Sequence, residues 1–576
     1  MKKIVITVLV ALATIVNITA QIEKLIPEDA GFVFGLNTKN LSNELNKEKV
    51  KNLPIFKELK ADYDKKIARG RATNEYSLFS LLFEQEKTGL NYEENFYFFV
   101  TNRGSYTIAS FLLPIKDKEV FFASFKKVFG GDISELKQGG TFNQMSGLYD
   151  DSYFILSFGG KLSQSTNYDL SWKERKELRA KREEKTKEVT AKFHQSVFSN
   201  GSNSLMKNKS FKKALRQKRD VFAWASSDYL VSESMMKFMQ NAVGGIREVD
   251  VFKVLNQDWV KDAFVGLDFN EKDITLDMKI KFGEDLKPFT KKIYKTRLNP
   301  KFKKYIDKDK TMFVSSSAIK PTEFIPLFKK LYLDVSSATK EIAPINKDIY
   351  ELYDLVINQE NIMKLWSGDV SFSFQGMNKQ VVEHITYDYN EEYEYVERRV
   401  IDTVDVPEFV YLLATDDKEH IQNILNIIEY TKLIIKEGDY YSFTENNLNF
   451  YITLVDDVLL FTNNKEMVTT YRNGLPAKHH YKLPRRGNSY NEIDFQKILP
   501  VFLKILTNKW NYEERAFTRA LMDYTKAGKS SVKIKKGKAS VKIDLTNIED
   551  NAFTTFMHYL DKNYVYYLEE REFFRP

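Results

Sequence analysis

Four groups of elements recur along this 576-residue chain in the same order, and any fold for it must accommodate both sets. The first group opens at Ile26-Pro27-Glu28-Asp29-Ala30-Gly31-Phe32-Val33. A proline and an acidic turn lead into an apolar run, which predicts a strand over 32–36 and then a helix from 39 through the 60s. Its counterpart is a strand over 311–315 and a helix over 321–331. The second group is a pair of strands over 95–101 and 106–115, then a helix opening at Asp117-Lys118-Glu119. It returns as strands over 368–374 and 409–415, with a helix opening at Asp417-Lys418-Glu419. In the third group, segments 140–146 and 152–158 meet at Tyr149-Asp150-Asp151. Strands over 440–444, 448–454 and 458–462, with a turn at Asp456-Asp457, are the second version. The fourth is a strand over 220–226 leading into a helix, then a hairpin over 263–269 and 274–282. It is matched by a strand over 490–495, a helix from Gln496, a hairpin over 531–534 and 539–545, and a last helix from Asn547. A helix opening with acidic residues is ordinary dipole chemistry, so the weight rests on the shared order. The expectation is an α+β fold, a tandem duplication of a unit with antiparallel sheets and packed helices. The first repeat would span 21–299 and the second 300–576.

Aromatic residues make up 14% of the chain, mostly Phe and Tyr, which favours sheet. Cysteine is absent, which removes disulfides, thiolate catalysis, cysteine metal sites and lipid attachment through an N-terminal cysteine. Residues 1–20 have the layout of a signal peptide: Lys2 and Lys3, an apolar run over 4–16, and Ile18-Thr19-Ala20 before Gln21. The apolar run falls short of the roughly 20 residues needed to span a bilayer. The expected compartment is the periplasm or outer envelope, with no transmembrane segment left after cleavage.

Two segments set the halves apart. In the first half, a basic helical insert over 171–219 begins with the capping-box spacing Ser171-Trp172-Lys173-Glu174. It continues with Glu177 and Lys181, Glu183 and Lys187, and Glu188 and Lys192 at the stabilising i, i+4 spacing. Lys207, Lys209, Lys212, Lys213, Arg216, Lys218 and Arg219 follow a polar break. From 173 to 219 there are 16 basic and 5 acidic residues, net +11. The whole chain carries +8, so without Lys2 and Lys3 everything outside the insert sums to −5. In the second half an acidic, tyrosine-rich hairpin occupies 381–408, turning near Asn390-Glu391. From 383 to 408 it has 9 acidic and 2 basic residues, net −7. Tyr387, Tyr389, Tyr393 and Tyr395 are spaced to share one face. The insert is either a solvated helix supported by its own ion pairs or a surface for a polyanion or acidic partner. The hairpin is either a solvated ribbon, or a docking arm or tyrosine platform for a glycan; the opposite charges also allow it to meet the basic insert within one molecule or between two. Export removes nucleic acid as the expected partner.

No phosphate-binding glycine loop, dinucleotide fingerprint, nucleophile elbow or paired-histidine zinc motif occurs, and no cofactor, metal or catalytic residue is assigned. Asp150-Asp151 and Asp456-Asp457 invite a two-carboxylate glycosidase reading, but hairpin turns account for them better. The 26–33 stretch resembles the start of a family of uncharacterised exported proteins of Bacteroides-type bacteria. So does Asn208-Lys209-Ser210-Phe211-Lys212-Lys213-Ala214-Leu215 before Asp220-Val221-Phe222-Ala223-Trp224. The family is described as a domain of unknown function. The resemblance implies envelope location and fold, and no catalytic residue. Many members look like lipoproteins with a cysteine at the cleavage point; this chain has Gln21 there. The leading expectation is a non-catalytic binding or scaffold protein whose partner is an envelope protein or anionic envelope polymer. The runner-up is a hydrolase acting on an envelope or imported polysaccharide.

Overall fold

The computed structural model describes residues 22–573, apart from 69–84, 130–140, 162–170, 231–258, 339–364, 390–394, 507–515, 521–528 and stretches of one to four residues elsewhere. The signal-like segment lies outside the described residues.

In the first half the strands are β1 (Ala30–Leu36), β2 (Phe96–Arg103), β3 (Tyr106–Pro114), β4 (Thr141–Phe142), β5 (Met145–Tyr149), β6 (Tyr153–Lys161), β7 (Val221–Ser226), β8 (Val260–Phe269) and β9 (Asp273–Phe282). Their antiparallel ladders give the spatial order β4-β5-β6-β3-β2-β1-β7-β8-β9. In the second half the strands are β10 (Phe313–Ala318), β11 (Asp369–Tyr389), β12 (Tyr395–Ala414), β13 (Ile435–Glu437), β14 (Tyr440–Glu445), β15 (Leu448–Val455), β16 (Val458–Thr462), β17 (Ser489–Asp494), β18 (Lys529–Lys535) and β19 (Lys538–Asp544). Their order is β13-β14-β15-β16-β12-β11-β10-β17-β18-β19. Apart from β13, which the sequence reading missed, the second half repeats the ladder order of the first.

The halves join where β9 pairs antiparallel with β19, so one sheet runs through the molecule. Asp273 lies opposite Asp544 and Lys279 opposite Lys538. Lys542 relieves the acidic end of this ladder, 3.2 Å from Asp273 and 2.6 Å from Asp544.

Period-two alternation gives each strand one face for each of two layers. On one face of the first half, Tyr97, Phe99, Ile108, Leu112, Ile155, Phe222 and Trp224 form the main core. It is closed by a turn over Ile22–Leu25, by the end of helix α4 (Trp172–Ser199) and by helix α5 (Lys209–Leu215). In the second half the same face carries Val314, Val410, Leu412 and Leu460, closed by a turn over Phe302–Tyr305 and by Met467, Val468 and Tyr481. On the opposite face, helix α3 (Lys118–Phe129) covers Phe154 and Leu156, and helix α8 (Lys418–Tyr430) covers Tyr441 and Leu454. Asp117 and Asp417 accept N–H groups at the starts of these helices, from Val120 and His420.

The ends of the halves cross over. Helix α9 (Phe495–Leu506) follows β17, and helix α10 (Ala552–Phe573) sends Phe553 and Met557 against Leu45, Val50 and Phe56 of the first half, near helices α1 (Thr38–Glu44) and α2 (Pro54–Ala68). Helix α6 (Lys287–Lys292) follows β9 and adjoins α7 (Pro321–Ala338), with Leu286 and Ile293 packed on Leu327 and Phe324.

Two element expectations change. The helix expected from 39 through the 60s is broken: α1 ends at Glu44, Lys47–Lys51 forms a separate short helix, and Pro54 opens α2. The hairpin expected over 381–400 is not separate from the strands expected over 368–374 and 409–415: its first arm continues the former in β11, of 21 residues, and its second runs into the latter in β12, of 20, with a register shift between Phe374 and Met377. Gly376 sits at that bulge with a φ of 123°.

Candidate functional site

Helix α5 is short and held from below. Asn208 caps it, its Oδ1 accepting the N–H groups of Ser210 at 2.9 Å and Phe211 at 3.2 Å. Phe211 is fully buried, edge-on to Trp224 at 5.5 Å, and Ala214 is buried beside it. Ser210 is tied to Asp262 of β8 at 2.6 Å. The apolar side of the helix is therefore the core side, and its lysines face outward. Lys207, Lys209, Lys212, Lys213, Arg216 and Lys218 are all exposed. None of the six has an ion-pair partner among the described residues. After the helix, Lys218 takes a left-handed φ of 51° and turns the chain into β7.

Arg219 does not join this surface. Its guanidinium pairs with Asp268 of β8 and Asp277 of β9, with the side chain 20% exposed. Gly266 makes room for it: a Cβ there would meet the Arg219 Cγ at 2.7 Å.

α4 behaves differently at its two ends. Its capping box forms as expected: the Ser171 N–H donates to Glu174 at 2.8 Å, and the Glu174 N–H to Ser171 Oγ at 3.3 Å. Of the expected ion pairs, Glu188–Lys192 closes at 2.7 Å, and Lys185 joins the same carboxylate at 2.6 Å. Toward its end the helix turns inward, burying Phe193, His194 and Val197. His194 Nε2 lies 2.8 Å from Ser157 Oγ, which lies 2.8 Å from Ser110 Oγ. Burial lowers the His194 pKa to about 4. This Ser–Ser–His chain is closed to substrate, because both serines are fully buried. The segment 171–219 is thus part of the first core as well as a charged surface.

The acidic hairpin is the outer part of β11 and β12. β11 pairs with β10 only over 369–374, and β12 pairs with β16 only over 410–414. Gln380 makes the last side contacts, accepting from Asn449 N–H at 3.0 Å and donating to the Asn463 carbonyl at 3.2 Å. From Val381 to Tyr389, and back from Tyr395, the ribbon pairs only with itself among the described residues. Nine residues of strand make an arm of about 30 Å. Val381 and Ile401 are 63% and 73% exposed, Ile385 50% and Val396 46%. The register puts Val381, Ile385 and Ile401 on one side of the ribbon and Val396 on the other. In the backbone ladder Tyr387 pairs with Glu397 and Tyr389 with Tyr395. Tyr393 lies outside the described residues.

The carboxylates that tempt a hydrolase reading are turn and core groups. Asp150 accepts the N–H groups of Ser152 and Tyr153, both at 2.7 Å, and Asp151 pairs with Lys118. Asp456 and Asp457 lie in the β15–β16 turn and pair with Lys304 and Lys301. Burial raises the pKa of Glu23, whose Oε1 accepts from the Tyr97 hydroxyl at 2.6 Å. The aspartates Asp307 and Asp309 and His479 each bring a ligand atom within 4.8 Å of the others. Asp307 already accepts the Asp309 N–H at 2.8 Å, and Asp309 pairs with His479 at 3.0 Å. Sequence reading missed this trio because His479 is far along the chain from the two aspartates.

No helix among the described residues is long and apolar enough to cross a membrane. No family model, curated protein or solved structure matches the chain.

Proposed function

We propose that this chain is an exported envelope protein with a non-catalytic binding or scaffold role, holding an acidic partner on the outer face of α5. The observation that carries the reading is the set of six exposed cations on and flanking a helix anchored by Phe211, none with an ion-pair partner among the described residues. Unneutralised charge on a rigid base attracts an opposite charge and fixes its register. An envelope protein with an acidic surface or an anionic envelope polymer has the required chemistry. We also infer a tandem duplication, supported by the repeated ladder order and by the paired Asp-Lys-Glu helix starts.

The test is capture from solubilised envelopes by the mature chain and by a Lys209→Glu, Lys212→Glu, Lys213→Glu variant. Deleting 173–219 would be uninformative, because Phe193, Val197, Leu205 and Phe211 leave the core with it. The reading predicts that a ligand held by the native chain is lost with the reversed charges. Equal capture by both would overturn it.

A further inference from the structure

We propose that the acidic partner of the α5 face is the β11–β12 arm of a second copy of this chain. The proposal rests on the reading of that face as a contact surface. It concerns the two elements of opposite sign that the fold leaves outermost.

Charge decides between the ways two arms and two faces can meet. The 381–403 arm has 7 acidic and 2 basic residues, net −5, so arm against arm brings like charges together and is disfavoured. Arm against α5 brings the acidic ribbon to six cations that have no ion-pair partner among the described residues. Within one molecule the two are carried by strands far apart in the ladder order. Phe211 packs on Trp224 of β7, and β7 is seven ladder steps from β11 through β8, β9, β19, β18, β17 and β10. At ~4.8 Å per step that is about 34 Å. The arm also runs along the strand axis and not across the sheet.

The arm needs a cover. A two-stranded ribbon alone in water is at best marginally stable, and this one exposes Val381, Ile385 and Ile401 on one side. Lysine suits such a surface, because its methylene stem lies on apolar side chains while the ammonium reaches a carboxylate. Glu397 is an exposed carboxylate on the strand positions of the Val381 side, and Asp402 is an exposed one on the other side of the arm. Each copy has one arm and one face, so two copies can exchange them reciprocally and close a dimer.

Sedimentation of the full mature chain tests this, with circular dichroism confirming that each variant is folded. The arm is reversed by Glu383→Lys, Glu397→Lys and Asp402→Lys, and the face by Lys209→Glu, Lys212→Glu and Lys213→Glu. Native chain should associate at about 0.05 M salt and weaken about tenfold or more at about 0.5 M. Either reversal alone should weaken association about a hundredfold. An equimolar mixture of the two variants should restore it, because each then offers the other a complementary arm and face. A native chain that stays monomeric, reversals without effect, or a mixture no better than its components would overturn the proposal. If the native chain is monomeric yet captures an envelope ligand that the face reversal loses, the α5 face is a contact surface and only its assignment to the arm falls.

Discussion

Arg219 and Lys212 carry the same charge and do different work. Arg219 holds Asp268 and Asp277 together across the β8–β9 hairpin, each carboxylate about a quarter exposed or less. Arg219→Ala should cost about 2–3 kcal/mol, because two half-buried acids lose their partner. Lys212→Ala should stay within about 0.5 kcal/mol. Chemical denaturation of both variants separates structural cations from surface ones. The sequence could not make that distinction, because Asp268 and Asp277 lie 49 and 58 residues from Arg219. Glu44 gives a pH signature. Desolvation, then Asp220 and Asp268, raises its pKa from 4.5 to about 7. The folded state holds this proton more tightly than the unfolded chain, so the contribution of Glu44 to stability falls as pH rises from 4.5 to about 7. His194 has the opposite sign. With its pKa lowered from 6.5 to about 4, stability is lost as pH falls through that interval. Glu44→Gln should therefore gain about 1–2 kcal/mol at about pH 8 and nothing near pH 4. The pH–stability curve of that variant should fall more steeply toward acid, and a curve parallel to the native one would contradict the assignment.

At the scale of elements, α5 and the arm are opposites. α5 has seven residues and owes its place to packing, so Phe211→Ala should cost about 3–5 kcal/mol. Replacing 381–403 with a tight turn removes no residue of the main cores and should change stability by no more than about 1 kcal/mol, read from the unfolding midpoint. The pairing of the hairpin's two strands was legible because apolar and polar residues alternate along 381–400; the turn expected near Asn390-Glu391 lies outside the described residues. Its continuity with the sheet was not. Ser371, Ser373 and Gln375 are buried polar residues where a strand pattern calls for apolar ones, and the bulge at Gly376 shifts the period. The inward end of α4 was hidden for a related reason: Phe193 and Val197 close a helix whose other positions are mostly charged, so the segment looked solvated throughout.

For the whole molecule, the α+β class and the recurring order of strands were legible, while the junction of β9 with β19 was not. Nothing local in β9 or β19 marks them as partners, since a hairpin strand with one polar face also suits an outer edge. The ladder from Asp273 to Lys279 and the crossing of α10 onto the first half tie both halves into one unit. Unfolding should be a single transition, and amides of β9 and β19 should exchange as slowly as those of β1 and β10. Fast exchange at β9 and β19 alone would show an open edge there. The α5 face and the arm are both exposed on this body, and the account stands on contact at that face. The most direct measurement is photo-crosslinking in intact cells from a probe at position 212, with a second probe at Tyr430, which is 90% exposed, as the control. The account predicts a discrete product from position 212 that is absent from the control and abolished by Lys209→Glu with Lys213→Glu. The same yield from both positions, or none from 212, would contradict it.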